Sequence, residues 1–284
     1  MSTSLKGRTI FITGASRGIG RQIALTAAGQ GANLVIAAKS ETPHPKLPGT
    51  IHTVAEEVRA RGGGALALKL DVRDDAAVVE AMKVAADAFG GIDAVVANAG
   101  AIRLEPAATL EMKRFDLIHA VNVRALLALA KAALPYLEAS SNPHILSMSP
   151  PLNLQPHWLK PHIPYTVTKY AMTLLCLGMA EEFRDKGIAV NALWPRTTIA
   201  TSAVMFEVGA HYMERSRTPQ IVADAACLLL ARPARAWTGG TWLDEDILRQ
   251  DGRVDFDSYR NGADGRDFTA GAAPDLALDL FVDA

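Results

Sequence analysis

Two residues in this sequence have the types and the spacing to move a proton. Tyr165 and Lys169 stand four positions apart, at the start of an apolar run that continues through Leu174, Leu175 and Leu177. On a helix, positions i and i+4 share a face. A phenol and an ammonium would then lie side by side, and the lysine's field would favour the phenolate and lower the proton affinity of Tyr165. Such a phenol can give a proton to, or take one from, a substrate oxygen that changes between carbonyl and alcohol. Y-x-x-x-K also arises by chance on the solvated face of an amphipathic helix, so the pair gains meaning only from the elements that position it.

Those elements begin near the N-terminus. Arg8 to Thr13 is a short β-branched and aromatic run, followed by T-G-A-S-R-G-I-G and an Ala-rich helical pattern to about Gly29. This reads as strand, glycine turn, helix. Gly14, Gly18 and Gly20 let backbone approach a pyrophosphate, and the helix N-terminus offers free N–H groups and a positive dipole end. The loop residues Gly14, Ser16, Arg17, Gly18, Ile19 and Gly20 are therefore candidate dinucleotide contacts; the alternative is a turn that merely packs helix on strand. A second strand, Asn33 to Ala38, ends at Lys39-Ser40. A carboxylate there would bind the ribose hydroxyls of NAD. Its absence, with Lys39 on one side and Arg17 on the other, favours NADP(H), unless Lys39 is simply a solvated lysine.

Further strands alternate with helices. Glu41 to Thr50 carries three prolines and a glycine and is a loop. A helix from about Thr53 to Arg61 leads to a third strand, Ala65 to Leu70. Asp71 then offers an acceptor for the adenine amino group, or a cap for the helix Ala76 to Phe89. A fourth strand, Ile92 to Ala97, closes on Asn98-Ala99-Gly100, where small residues leave room for a cofactor. Thr109 to Glu138 is helical and contains Asn122, a residue that competes for backbone hydrogen bonds inside a helix and can bend it. His144 to Ser149 and Ile188 to Leu193 are the fifth and sixth strands, Thr218 to Leu230 is a helix, and Thr238 to Leu243 is the last strand.

Composition narrows the function classes. The chain has 284 residues, 49% of them hydrophobic, and a net charge of -1. That suits one large α/β domain and gives no basic footprint for nucleic acid. No apolar run of membrane-spanning length escapes interruption by a charge, Gly or Pro. Cys176 and Cys227 lie in apolar helical patterns and read as buried free thiols. His44 and His52 lack metal-ligand spacing, so no metal site is expected. Neither end reads as a secretory, peroxisomal or retention signal, and the expectation is a cytoplasmic protein.

The glycine loop, Asn98-Ala99-Gly100, the internal Asn122 and Tyr165-x-x-x-Lys169 occur in one order. Together they resemble the short-chain dehydrogenase/reductase family over about residues 5 to 245. The resemblance implies a Rossmann-type doubly wound parallel β-sheet with helices on both faces, binding a nicotinamide dinucleotide within residues 1–250. It also implies a homodimer or homotetramer acting on a small molecule. In that family the tyrosine is the acid/base, the lysine holds the nicotinamide ribose and tunes the tyrosine, and the asparagine positions a relay water; Tyr165, Lys169 and Asn122 take those roles here.

The sequence departs from the family pattern at the serine that binds the substrate oxygen. Thirteen residues before Tyr165 stands Leu152. Alignment on the fifth strand instead puts Pro150 at the serine position, with Ser149 just before it. Ser149 is the candidate replacement, with Ser147 and Asn153 behind it. Leu154, Trp158, Leu159 and Ile163 would line an apolar mouth suited to a lipophilic substrate, or pack in the core or between subunits. Arg196, where the family usually has glycine, would meet an anionic group or lie solvated. Residues 251–284 form a tail or a docking arm, with Asp275 to Asp283 apolar enough to dock. The resulting expectation is an NADP(H)-dependent oxidoreductase interconverting a secondary alcohol and a ketone. The alternative is a non-catalytic NADP(H)-binding regulator or scaffold, which the displaced serine keeps open.

Overall fold

A computed structural model describes residues 4–45, 47–262 and 275–283. Seven strands form one parallel sheet in the order β3-β2-β1-β4-β5-β6-β7. The strands are β1 Thr9–Thr13, β2 Asn33–Ala38, β3 Gly64–Lys69, β4 Ala94–Ala97, β5 His144–Met148, β6 Ala189–Trp194 and β7 Thr241–Leu243. The order reverses between β1 and β4, which opens a crevice at their carboxyl ends.

Helices cover both faces because side chains alternate along each buried strand. Ile10 and Ile12 of β1 join a core with α1 (Gly18–Ala28) and α2 (Ile51–Ala60). Phe11 between them joins the opposite core, with α3 (Asp75–Phe89). α4 (Met112–His119) and α6 (Pro156–Leu159) pack in a third cluster with Trp194 and Phe281, while α5 (Ala125–Glu138) and α7 (Ile163–Glu182) complete the Phe11 core. The first core is completed by α8 (Gln220–Ala231) and α9 (Asp244–Gln250). The run Met112–Glu138 is 27 residues long and apolar enough by composition to cross a membrane. Its α5 part packs one face on the sheet, with Leu126, Leu129, Ala133 and Leu137 buried.

Local chemistry sets the boundaries. Helix α2 starts two residues before the expected Thr53 because Thr50 and Thr53 form a reciprocal capping box. Asp74 caps α3 by accepting from the Ala77 N–H, and Gly90 ends it in the left-handed region at φ 82°. Helix α9, which the sequence pattern did not announce, follows β7 directly. Residues 275–283 lie along their own chain: the Thr198 N–H donates to the Ala277 carbonyl (2.9 Å) and the Asp279 N–H to the Arg196 carbonyl (3.0 Å). The intervening part of the expected tail, 263–274, falls outside the described residues.

His144, at the first position of β5, is buried, with Nε2 facing the Arg232 carbonyl at 3.1 Å. Burial disfavours its cation and lowers its pKa to about 4. The unfolded chain binds a proton here between about pH 6.5 and 4 that the folded chain does not. Stability is therefore complete above about pH 6.5 and falls toward pH 4, by on the order of 3 kcal/mol for this group alone. The urea midpoint of the wild type should drop between pH 7 and pH 5 by more than that of His144→Gln. Equal drops would assign the acid sensitivity elsewhere.

Candidate active site

At the carboxyl ends of β1 and β4 lies a cavity of about 840 Å³. One end is lined by Arg17, Lys39, Ser40, Asp71 and Arg73, its middle by the glycine loop with Asn98 to Gly100, and the other end by Tyr165, Lys169 and Trp194.

The glycine loop is braced from β4. The Asn98 side-chain amide donates to the carbonyls of Thr13 (2.9 Å) and Gly14 (3.2 Å). The backbone N–H groups of Asn98 and Ala99 both donate to Thr13 Oγ1 at 3.1 Å. This close packing is what the glycines permit. A Cβ on Gly14 would lie 2.9 Å from the Ala99 Cα, and one on Gly20 2.5 Å from Asn98 Nδ2. The N-terminus of α1 thus opens on the cavity with its N–H groups unobstructed. Gly18, Ile19 and Ser16 line the same wall.

At the cationic end, Arg17 donates to Ser40 Oγ (3.0 Å) and to the carbonyls of Pro48 and Gly49. Lys39 lies 3.3 Å from Asp71, and Arg73 pairs with the same carboxylate. Asp71 is held well below the usual carboxylate range, mainly by the Arg73 hydrogen bond. Arg73 was not singled out in the sequence, although it stands two residues beyond the strand-end acid, where such a side chain curls back onto it. The three cations, the α1 N-terminus at the cavity wall and the glycine cradle fit a nicotinamide dinucleotide.

The other end is built on the first turns of α7. Tyr165 is 3% exposed, with its ring against Phe281 (centroids 6.5 Å apart) and His162 (6.3 Å). Lys169 Nζ donates to the Met148 carbonyl at 2.9 Å and sits 5.1 Å over the Trp194 ring. The i,i+4 spacing does put both groups on one face. Their electrostatics differ from the sequence expectation. Burial, with Asp279 adding its negative field, pushes the Tyr165 phenol up rather than down. Burial also lowers Lys169 to about 8. Desolvation of the phenolate outweighs the lysine, whose ammonium is directed at a backbone carbonyl.

Asn122 is fully buried in a π-helical turn, Ala120–Arg124, that joins α4 to α5. Its Oδ1 accepts from the Ala101 N–H (2.8 Å), and its Nδ2 donates to the Ala101 carbonyl (3.0 Å) and to Thr168 Oγ1 (3.0 Å). Asn122 therefore ties the strand-end loop to α7 one residue before Lys169. The helix accommodates it by a wider, π-helical turn.

Ser149 does not join this group. It is fully buried, donates to Ser147 Oγ (3.3 Å), and both hydroxyls lie at the Cys176 thiol beneath α7. The strand direction at Met148 aims it into the core. Ser147 is turned away likewise, and Asn153 is bound to the C-terminal segment at the Phe281 carbonyl and Asp283. Arg196 is partly exposed and not turned to the cavity: Asp246 (2.8 Å) and Glu245 (3.5 Å) hold its guanidinium. In place of these residues the structure brings Asp279 and Leu280 to the cavity wall. The apolar run Asp275 to Asp283 signals a docking segment, but not that it docks at this wall, more than 110 residues beyond Tyr165.

The family model described as short chain dehydrogenase matches residues 8–208. Hydroxysteroid dehydrogenase-like protein 2 of Danio rerio is 51% identical over 255 residues, which cover 90% of this chain and 61% of the relative. The protein of the same name from Rattus norvegicus is 49% identical over 282 residues, covering 99% of this chain and 52% of the relative. The chain thus spans little more than half the length of these relatives. Among solved structures, a short chain dehydrogenase from Mycobacterium thermoresistibile superposes with a TM-score of 0.90 at 46% identity, covering 99% of this chain and 97% of that one. A metagenomic short-chain oxidoreductase in complex with NADP gives a TM-score of 0.70 at 26% identity, covering 84% and 97%.

Proposed function

Because the chain belongs to the short-chain dehydrogenase/reductase family of oxidoreductases, we propose that it is an NADP(H)-dependent enzyme interconverting a lipophilic ketone and its secondary alcohol, with Tyr165 as the acid/base. The observation that carries this reading is the convergence of Tyr165 and Lys169 at one end of a cavity whose other end is cationic, with Asn122 bracing them from behind through Ala101 and Thr168. The cofactor supplies a hydride at its nicotinamide ring when bound. Tyr165 supplies the proton. The phenol is held protonated by burial, so the resting site is set to donate to a ketone oxygen. Lys169, with its pKa near neutrality, can replace that proton at the phenol and holds the ribose side of the cavity. Ile102, Leu117, Val121, Trp194 and Phe206 line the wall and favour an apolar substrate.

The direct test is to incubate the protein with NADPH deuterated at C4 and a panel of steroid, fatty-acyl and simple ketones. Deuterium in a product alcohol supports the reading. NADPH bound tightly with no deuterium transfer to any ketone would favour the regulator or scaffold instead. The same proposal includes a cytoplasmic homodimer or homotetramer.

Cofactor choice has its own prediction. Lys39 and Arg17 flank the place a 2′-phosphate would take, and a charge-assisted bond there contributes about 1.5–3 kcal/mol. Lys39→Asp should weaken NADPH binding on the order of ten-fold to a hundred-fold and NADH binding much less. Fluorescence titration with both cofactors reads the difference. An unchanged preference would show that Lys39 does not read the phosphate.

A further inference from the structure

The wall facing Tyr165 contains a carboxyl group that the family pattern does not assign. Asp279 lines the cavity at the same end as Tyr165 and Lys169. Its backbone is fixed by the Arg196 carbonyl (3.0 Å), and its Oδ1 accepts from the Leu280 N–H (2.6 Å). Among the described residues no donor reaches Oδ2. The segment that carries it is firmly seated. Trp194 Nε1 donates to the Leu280 carbonyl (2.9 Å), and Asp283 accepts from Asn153 Nδ2 (2.7 Å) and Trp158 Nε1 (2.9 Å). Phe281 takes φ 71°, a left-handed conformation that a bulky residue rarely adopts. Its ring is held there by Trp158, His162, Tyr165, Tyr170 and Trp194. Strain of this kind persists only where the surroundings over-determine it. Meanwhile the serines of the β5 exit point into the core, so the substrate oxygen lacks its second hydrogen-bonding side chain from that loop.

We propose that Asp279 fills this place, its free Oδ2 hydrogen-bonding the substrate oxygen that Tyr165 protonates. The proposal rests on the alcohol–ketone reading above. For a carbonyl oxygen the partner must be a donor, which requires the carboxylic acid. The surroundings favour it: burial and the neighbouring Asp244, itself raised to about 7, push Asp279 up to about 7, against the Leu280 N–H bond and the field of Lys169. Tyr165 faces it as a neutral phenol, and the nearby Arg196 guanidinium is engaged by Asp246 and Glu245. A neutral acid on a half-buried cavity wall can donate a strong hydrogen bond to an oxygen that gains charge.

Two readouts test this, one of them independent of turnover. Carbon-13 NMR of labelled aspartate, with the Asp279 signal assigned by its loss in Asp279→Asn, should show a carboxyl titrating near neutrality, moving upward in Lys169→Ala and responding to added NADPH. A signal titrating in the ordinary carboxylate range and indifferent to both would overturn the proposal, even if no substrate is known. With a ketone that the wild type reduces, Asp279→Ala should lose about 10²–10³-fold in kcat/KM, the loss typical of one removed donor. Asp279→Asn, which keeps a donor, should stay within about ten-fold and shift the fall in rate above neutral pH, leaving only the part that Lys169 sets near 8. Wild-type kinetics in Asp279→Ala, or equal losses in both variants, would refute the donor role. Tyr165→Phe run beside them separates the two claims: full turnover in that variant would refute the alcohol–ketone mechanism whatever Asp279 does.

Discussion

Tyr165→Phe should lower ketone reduction by about 10²–10⁴-fold, the range a positioned general acid contributes, while NADPH affinity stays within a few-fold of wild type. The structure explains why these two quantities separate. The Tyr165 hydroxyl makes no hydrogen bond to the described residues, and its ring is packed between Phe281 and His162. Phenylalanine keeps that packing and leaves no buried donor unpaired, so the fold should hold its wild-type melting temperature. The cofactor-binding wall, from the glycine loop to Lys39, is untouched. Steady-state rates and NADPH fluorescence titration on the same preparation measure both effects. A variant that loses binding and rate together would mean that Tyr165 holds the cofactor rather than the proton.

Gly20→Ala should damage cofactor binding and stability together. A Cβ at this position would meet Asn98 Nδ2 at 2.5 Å and the Gly14 carbonyl at 2.7 Å, and these two groups are hydrogen-bonded to each other. Neither is the free end of a flexible side chain. Either the loop separates from β4 or α1 shifts outward, and overpacking of that kind costs about 1–3 kcal/mol. The N–H groups at the start of α1 would also lose their alignment, so NADPH affinity should fall by at least about ten-fold. Gly178→Ala is the control: it lies in α7 with nothing within 4 Å of the added methyl, and it should be neutral or slightly stabilising. Thermal melts with and without NADPH read both effects. Gly20→Ala with wild-type melting and binding would show that the loop tolerates the clash and that its closeness to Asn98 is not needed.

Local pattern carried much of the fold. The alternation of apolar strands with helices is a short-range signal, and it led to the parallel sheet because βαβ units leave few other arrangements. The glycine loop, Lys39 and the Tyr165–Lys169 face reach the cavity wall as local pattern suggests, since each position depends on neighbours within a turn or two. What was not legible depends on distant chain. In one dimension Ser149 substitutes for the displaced serine, but the pleat at the end of β5 turns it to Cys176. Arg196 looked like an anion contact until α9 brought Glu245 and Asp246 to it. The lysine's effect on Tyr165 was read from a pair of charges, whereas burial of the whole site decides the sign. Asp279 and Phe281 reach the site through a fold-back that no periodicity marks.

The most direct test of the central claim is NADPH oxidation over the ketone panel, wild type beside Tyr165→Phe at matched cofactor saturation. The account predicts at least one ketone that consumes NADPH with the wild type and not with the variant. Equal consumption by both proteins, or saturating NADPH binding with no Tyr165-dependent consumption for any ketone, would contradict it.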